Sequence, residues 1–384
     1  MLALRAARLF DGESSALVEQ PVVLVDQGQI VAAAAGLEPP ADAEVVDLGD
    51  ATLVPGLVDA HIHLTFDAST DPVGRFDRVD DAELLAGARV AAERALQAGV
   101  TTVRDLGDRN YVTLALRGDP GLPRILSAGP PITSMKGHCW FLGGEALGVD
   151  GVRRAVRERA ERGVDVVKVM ATGGELTAGT QPHLAQFGLA AMRAAVEEAH
   201  RAGLPITAHA HGAPGIFNAA SAGFDSVEHC SFTTETGASP DAGIIQALLT
   251  NGVTVSATLG HLPGFPLPPR IAALIPQLSG VFHQIREAGV PVVCSSDGGI
   301  GPAKPHDCLP YGVGEMVTLL GYTPAEALRS MTSQAADLCR IGDRVGRIRP
   351  GYEADLLAVA GNPLTDPEAI HDVVGVWRGG VRVR

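Results

Sequence analysis

The stretch VPGLVDAHIHL, residues 54–64, ends an apolar run with two histidines one residue apart. Side chains at i and i+2 of a strand share a face, so His61 and His63 point the same way. Two neutral imidazoles on one face can grip a metal ion; taken alone they can equally well pack. Other ionisable groups recur in later apolar runs. Lys168 lies in DVVKVMA (165–171), His209 and His211 in PITAHAHG (205–212), His229 in DSVEHC (225–230) and Asp297 in PVVCSSDGG (291–299). Imidazole and carboxylate suit zinc, and a coordination position left open gives room for water. His61 and His63 read as the first two members of a larger set.

Such a set needs elements that bring distant residues to one place. Eight short apolar runs predict strands at 57–64, 100–107, 124–129, 165–171, 205–212, 225–230, 253–259 and 291–299. Most are continuous and rich in Val and Ile, as expected of parallel strands covered on both faces. Helical stripes lie between them. Residues 82–98 carry Leu84, Leu85, Ala88, Ala91, Ala92, Ala95 and Leu96, closed by Gly99. Residues 151–163 carry Val152, Ala155, Val156 and Ala160, and residues 189–202 carry Leu189, Met192, Val196 and Ala199. Eight β-then-α units imply an α/β fold, a closed (β/α)8 TIM barrel over 56–344, with an open doubly wound sheet as the alternative. In such a barrel the active site lies at the C-terminal ends of the strands, where all seven residues would converge. The chain ends differ. Residues 1–55 contain LALRAARLF and PVVLVDQGQIVAAA, with a turn near Asp26-Gln27-Gly28, and residues 345–384 contain VGRIRPGYEADLLAVAG and VVGVWRGGVRVR. These predict one small β-sandwich domain made from both termini, 1–55 plus 345–384.

Five motifs in order, VPGLVDAHIHL, DVVKVMATGG, AHAHG, DSVEHC and SSDGG, followed by PGYEADLLAVAGNPL, resemble the amidohydrolase superfamily. Within it the chain resembles the branch of metal-dependent, prolidase-like dipeptidases, ochratoxinase-like amidases and imidazolonepropionase relatives. The resemblance implies two divalent metal ions, usually zinc, held by His61, His63, Lys168, His209, His229 and Asp297. Lysine is the odd member, since an ammonium cannot ligate a cation. Burial favours its neutral amine, which can react with carbon dioxide to a carbamate whose two oxygens bridge the ions. A hydroxide activated by both ions would attack an amide carbonyl, with Asp297 carrying the proton to the leaving nitrogen. The resemblance places His211, and His138 in SMKGHCW, as catalytic residues that contact substrate and stabilise the oxyanion. Two departures concern specificity. Dipeptidases often read GGH where this chain has Lys136-Gly137-His138, and EHGTY where it has EHCSF. Phe232 then lacks the hydroxyl of the family tyrosine, which counts against a plain dipeptide. The expected substrates are small amides, N-acyl amino acids or dipeptides. Cyclic amides or imidazolones, lactones and carbamates are the alternatives, and a non-catalytic binding protein on the same fold is the rival of another class.

The remaining composition excludes more than it identifies. The net charge of −14 and 4% aromatics disfavour nucleic acid and anionic membranes as partners. No run is long enough to span a bilayer, and the N-terminus lacks the pattern of a signal peptide, so the expected compartment is the cytoplasm. Relatives are commonly oligomers, which implies a homo-oligomer. Five scattered cysteines predict reduced thiols, with Cys230 and Cys294 as small buried hydrophobes. The loops 65–80, 130–150, 172–188, 260–270 and 298–312 should build the pocket. Lys136, Arg109 and Lys304 are candidates for a substrate carboxylate, while His183, His261 and His306 read as solvated loop residues.

Overall fold

The computed structural model describes residues 1–265 and 269–384; residues 266–268 of the predicted rim loop 260–270 lie outside the described residues. Eight parallel strands form the barrel: β1 (Leu57–Ile62), β2 (Val100–Asp105), β3 (Arg124–Ser127), β4 (Val167–Met170), β5 (Ile206–Ala210), β6 (Ser226–His229), β7 (Thr254–Thr258) and β8 (Val292–Ser295). They run as one ladder from β1 to β3 and a second from β4 to β8. Two parallel bridges close the circle, Ile132 to Val169 and Ile62 to Gly298. The second closure is backed by Asp297 N donating to His61 O at 2.7 Å and His63 N to Gly298 O at 2.9 Å. The first and last strands are thus fastened at the residues expected to do chemistry.

The helices follow the predicted stripes within three residues. Helix α1 (Asp81–Gln97) begins where the Asp80 carboxylate accepts from Glu83 N, and it buries Leu84, Ala88, Ala91, Ala92, Ala95 and Leu96. Helices α2 (Gly148–Arg162) and α3 (Leu189–Arg201) present Val152, Val156, Met192, Val196 and Ala199 to the barrel. The β/α alternation is not complete. Between β2 and β3 there is only a 3-10 turn, Val112–Leu116, because Gly107, Gly118, Pro120, Gly121 and Pro123 leave no room for a longer helix.

Strands from both ends make two further sheets. Leu2–Arg5, Pro21–Asp26, Gln29–Ala35 and Glu44–Asp47 form a four-stranded sheet. The turn at Gln27 (φ 48°) and Gly28 (φ 81°) closes its hairpin with both central residues left-handed, which the strand twist favours. In a six-stranded sheet, Ala51–Pro55 pairs antiparallel with Leu356–Ala360, so the chain ends share one ladder. The segment LALRAARLF is not a single strand: Leu2–Arg5 joins one sheet and Arg8–Leu9 the other. Leu4, Val23, Val25 and Ile30 of the first sheet pack on Leu53, Leu356, Ala358 and Trp377 of the second, one inner face upon another.

Candidate metal centre

At the C-terminal ends of the strands the predicted side chains meet in two adjoining groups. His61, His63 and Asp297 form one, and His209, His211 and His229 the other; within each, potential ligand atoms lie within 4.8 Å of one another. His61 Nε2 and His63 Nε2 are 3.3 Å apart, and each is 3.3 Å from Asp297 Oδ1. The groups touch through the His61 and His229 rings, whose centroids are 5.2 Å apart. His211, expected to contact substrate, stacks on His229 at 4.4 Å and stands within reach of the second group.

Backbone geometry aims these groups. His229 (φ 68°) and Asp297 (φ 55°) are both left-handed just where their strands end. That conformation costs an L-residue of this kind about 1–3 kcal/mol and persists only where surroundings enforce it. The buried Asp59 is one such enforcer: its carboxylate accepts from Ser296 N at 3.0 Å and His61 N at 3.2 Å, tying β1 to β8 beside Asp297. Asp105 does the same on the other side, accepting from Leu64 N at 2.7 Å and Gly107 N at 3.1 Å.

The electrostatics favour neutral rings at His61, His138, His209 and His229. Burial, reinforced by Lys168, lowers His61 to about 4. Burial with the neighbouring histidines holds His209 and His229 well below the usual range and brings His138 to about 3. Most rings have one nitrogen engaged outside the site: His61 Nδ1 with Glu228 Oε2 (3.0 Å), His229 Nδ1 with Thr258 Oγ1 (2.9 Å), His211 Nδ1 with Ser231 Oγ (2.8 Å) and His209 Nε2 with Gly173 O (3.1 Å). Burial pushes the Asp297 carboxyl up, but His61, His63 and Lys304 outweigh it and hold the group below the usual carboxylate range.

Lys168 tests whether a metal pair suits these residues. Its side chain is wholly buried, and Nζ has no hydrogen-bond partner among the described residues. Burial lowers the amine to about 8, with Glu228 and Asp297 opposing. A buried ammonium without an acceptor is costly, whereas a carbamate formed from the neutral amine and carbon dioxide, with loss of a proton, would offer two oxygens sharing one negative charge amid the histidines. The donor set therefore fits two divalent ions.

Several predicted assignments change. Lys304 is not free for a substrate: its Nζ donates to Ser296 O (2.6 Å), Thr258 O (3.2 Å) and Leu259 O (3.2 Å). Arg109 is likewise spent on Asp81, Phe76 O and Val79 O. Lys136 is exposed. His306 is no solvated loop residue; it is buried, with Nε2 3.1 Å from His63 O. His261 pairs with Glu315 at 3.1 Å, and His183 is half-buried. Phe232 is wholly buried in the main core. All five cysteines are free and buried. His138 is buried, its ring 4.6 Å from that of His209, and its Nδ1 meets Thr177 Oγ1 at 3.1 Å. Thr177 Oγ1 also accepts from Cys139 N at 2.9 Å, which fixes the hydroxyl beside the His138 ring. Sequence reading missed Glu228, Arg104, Thr207, Asp59 and Asp105. The available signal was an acid or arginine inside an otherwise apolar strand, as in DSVEHC and VTTVRDLG.

A family model described as the Amidohydrolase family matches residues 52–383. Ochratoxinase of Aspergillus niger is 29% identical over 374 residues, covering 85% of this chain and 75% of that protein. A crystal structure of a Xaa-Pro dipeptidase with bound methionine superposes with a TM-score of 0.86 at 28% identity, covering 99% of each chain. A prolidase complexed with N-methylphosphonate-L-proline gives 0.87 at 26% identity, covering 100% of this chain and 99% of that one. The (β/α)8 barrel, the strand-end residues and these likenesses agree: the chain belongs to the amidohydrolase family and is a hydrolase acting on carbon–nitrogen bonds.

Proposed function

We propose that the chain is a binuclear metal-dependent hydrolase that cleaves the amide bond of small N-acyl amino acids, dipeptides or related amides. The observation that carries this reading is the buried, unpartnered amine of Lys168 among the two ligand groups. His61, His63 and Asp297 would hold one ion, His209 and His229 the other, and Lys168, as its carbamate, would give an oxygen to each. Zinc is the metal this donor set favours. When bound, such ions lower the pKa of water towards neutrality and polarise a carbonyl. The names of the relatives, ochratoxinase and Xaa-Pro dipeptidase, support amide substrates. The same reading takes residues 1–55 and 345–384 as one accessory domain and 56–344 as the catalytic one.

The chain's own residues supply the proton path and the pocket. Asp297, kept ionised, takes the proton of the attacking water and delivers it to the nitrogen as the C–N bond breaks. His138, in the tautomer that carries its proton on Nε2, would with His211 serve the oxyanion that develops on the substrate carbonyl. Gly174 permits this: a Cβ there would lie 2.4 Å from His138 Nε2. Phe66, its ring 5.6 Å from His63, walls off one side against water.

Elemental analysis of protein expressed with zinc and bicarbonate tests the reading. About two ions per chain, with hydrolysis in a screen of dipeptides and N-acyl amino acids, is the expected result. One ion would sink the Lys168 bridge, and an active protein without metal would overturn the reading altogether.

A further inference from the structure

Behind His61 lies a buried ionic chain that the proposed reaction does not use. Arg104 on β2 and Glu228 on β6 are both wholly buried. Arg104 Nε donates to Ala60 O at 2.7 Å, and its NH2 group to Glu228 Oε1 at 3.1 Å. Thr207 Oγ1 donates to the same Oε1 at 2.6 Å. Ser226 Oγ lies 3.3 Å from it. The other carboxylate oxygen, Oε2, faces His61 Nδ1 at 3.0 Å. One oxygen is thus surrounded by donors, and the other, among the described residues, meets a single imidazole nitrogen. The corresponding contacts of His63 Nδ1, His209 Nε2, His211 Nδ1 and His229 Nδ1 are instead to hydroxyls or backbone carbonyls.

We infer that Glu228, pinned by Arg104 and Thr207, is a positioning residue that holds the His61 proton on Nδ1 and so turns the Nε2 lone pair towards His63 and Asp297. The inference rests on the metal reading for its purpose but not for its geometry. An ionised carboxylate can only accept, so His61 must donate from Nδ1. Nε2 is then a bare lone pair at the point where His63 Nε2 and Asp297 Oδ1 each lie 3.3 Å away. A carboxylate behind a ligating histidine also raises the ring's basicity, and losing such a partner generally weakens metal binding 10- to 100-fold.

The arrangement makes Glu228→Gln an informative variant. Arg104 and Thr207 are donors, so they would take the amide oxygen. The amide NH2 would then face His61 Nδ1 and force the ring proton to Nε2, where it blocks the lone pair. Two readouts follow. Nitrogen NMR of the metal-free protein should place the His61 proton on Nδ1 in the wild type and on Nε2 in Glu228→Gln. Zinc titration against a chromophoric chelator should show binding at least tenfold weaker in the variant. Thr207→Val keeps the carboxylate, and it should keep the wild-type tautomer and bind zinc within about threefold of wild type. A Glu228→Gln protein with its proton still on Nδ1 and wild-type zinc affinity overturns the inference. So does a Thr207→Val protein that loses zinc as severely while its tautomer is unchanged, since the effect would then be general loosening. A wild type that binds no zinc, yet carries the proton on Nδ1, would sink the metal reading and leave the role of Glu228 in fixing the tautomer standing.

Discussion

Replacing Lys168 by methionine should make the metal-free protein more stable while it destroys the proposed centre. Lys168 is wholly buried without a hydrogen-bond acceptor, and burial lowers its amine from 10.5 to about 8. Each pKa unit is worth about 1.4 kcal/mol, so holding the ammonium inside the fold costs about 3 kcal/mol. The sign follows from proton counts. Below pH 8 both folded and unfolded chains carry the proton, and the cost is present in full. Between pH 8 and about 10.5 only the unfolded chain binds it, so wild-type stability rises with pH through that window. Methionine has nearly the same length and no charge. Urea unfolding of the two metal-free proteins at pH 7 should therefore favour Lys168→Met by about 3 kcal/mol, and the gap should narrow at pH 9.5. Metal content of the variant after zinc and bicarbonate loading should fall to one ion or none. A variant that is less stable than wild type at pH 7, with a gap that does not change with pH, would refute the reasoning, because Lys168 would then be well paired in the fold.

Other substitutions test other parts of the site. Gly174→Ala sets a Cβ 2.4 Å from His138 Nε2; kcat/KM should drop at least about tenfold, while the melting temperature stays within a few degrees. Phe232→Tyr puts a hydroxyl into a wholly buried position. It should cost about 1–3 kcal/mol in denaturant unfolding and confer no dipeptidase activity; a gain of such activity would return that ring to the substrate pocket. Trp377→Ala, in the core between the two accessory sheets, should cost about 3–5 kcal/mol by the same measurement.

The barrel and the ionisable residues gathered at its strand ends were largely legible in the chain because parallel strands leave a plain trace. Val/Ile-rich runs separated by helical stripes predict β1 to β8, and ionisable residues at their ends stand out against that apolar background. His61 and His63 share a face by the period of two alone, and no contact is needed to deduce it. The Gln27-Gly28 turn is similarly local, since its left-handed backbone is a property of those residues. The absent helix between β2 and β3 runs against the expected eight complete β-then-α units, although the glycines and prolines of 107–123 carried a local signal for it.

What tertiary structure decided were the pairings between residues far apart in sequence. Lys304 looks like a free cation until three carbonyls at the ends of β7 and β8 surround it. His306 looks solvated until the His63 carbonyl covers it. Glu228 looks like the neighbour of a ligand, yet it points the other way along the strand and supports His61, 167 positions earlier in the chain. Period and propensity tell which face a side chain takes, and that suffices to nominate donors. Which donor holds which partner depends on how eight strands close into a circle, and closure brings together groups whose separation along the chain carries no local signal.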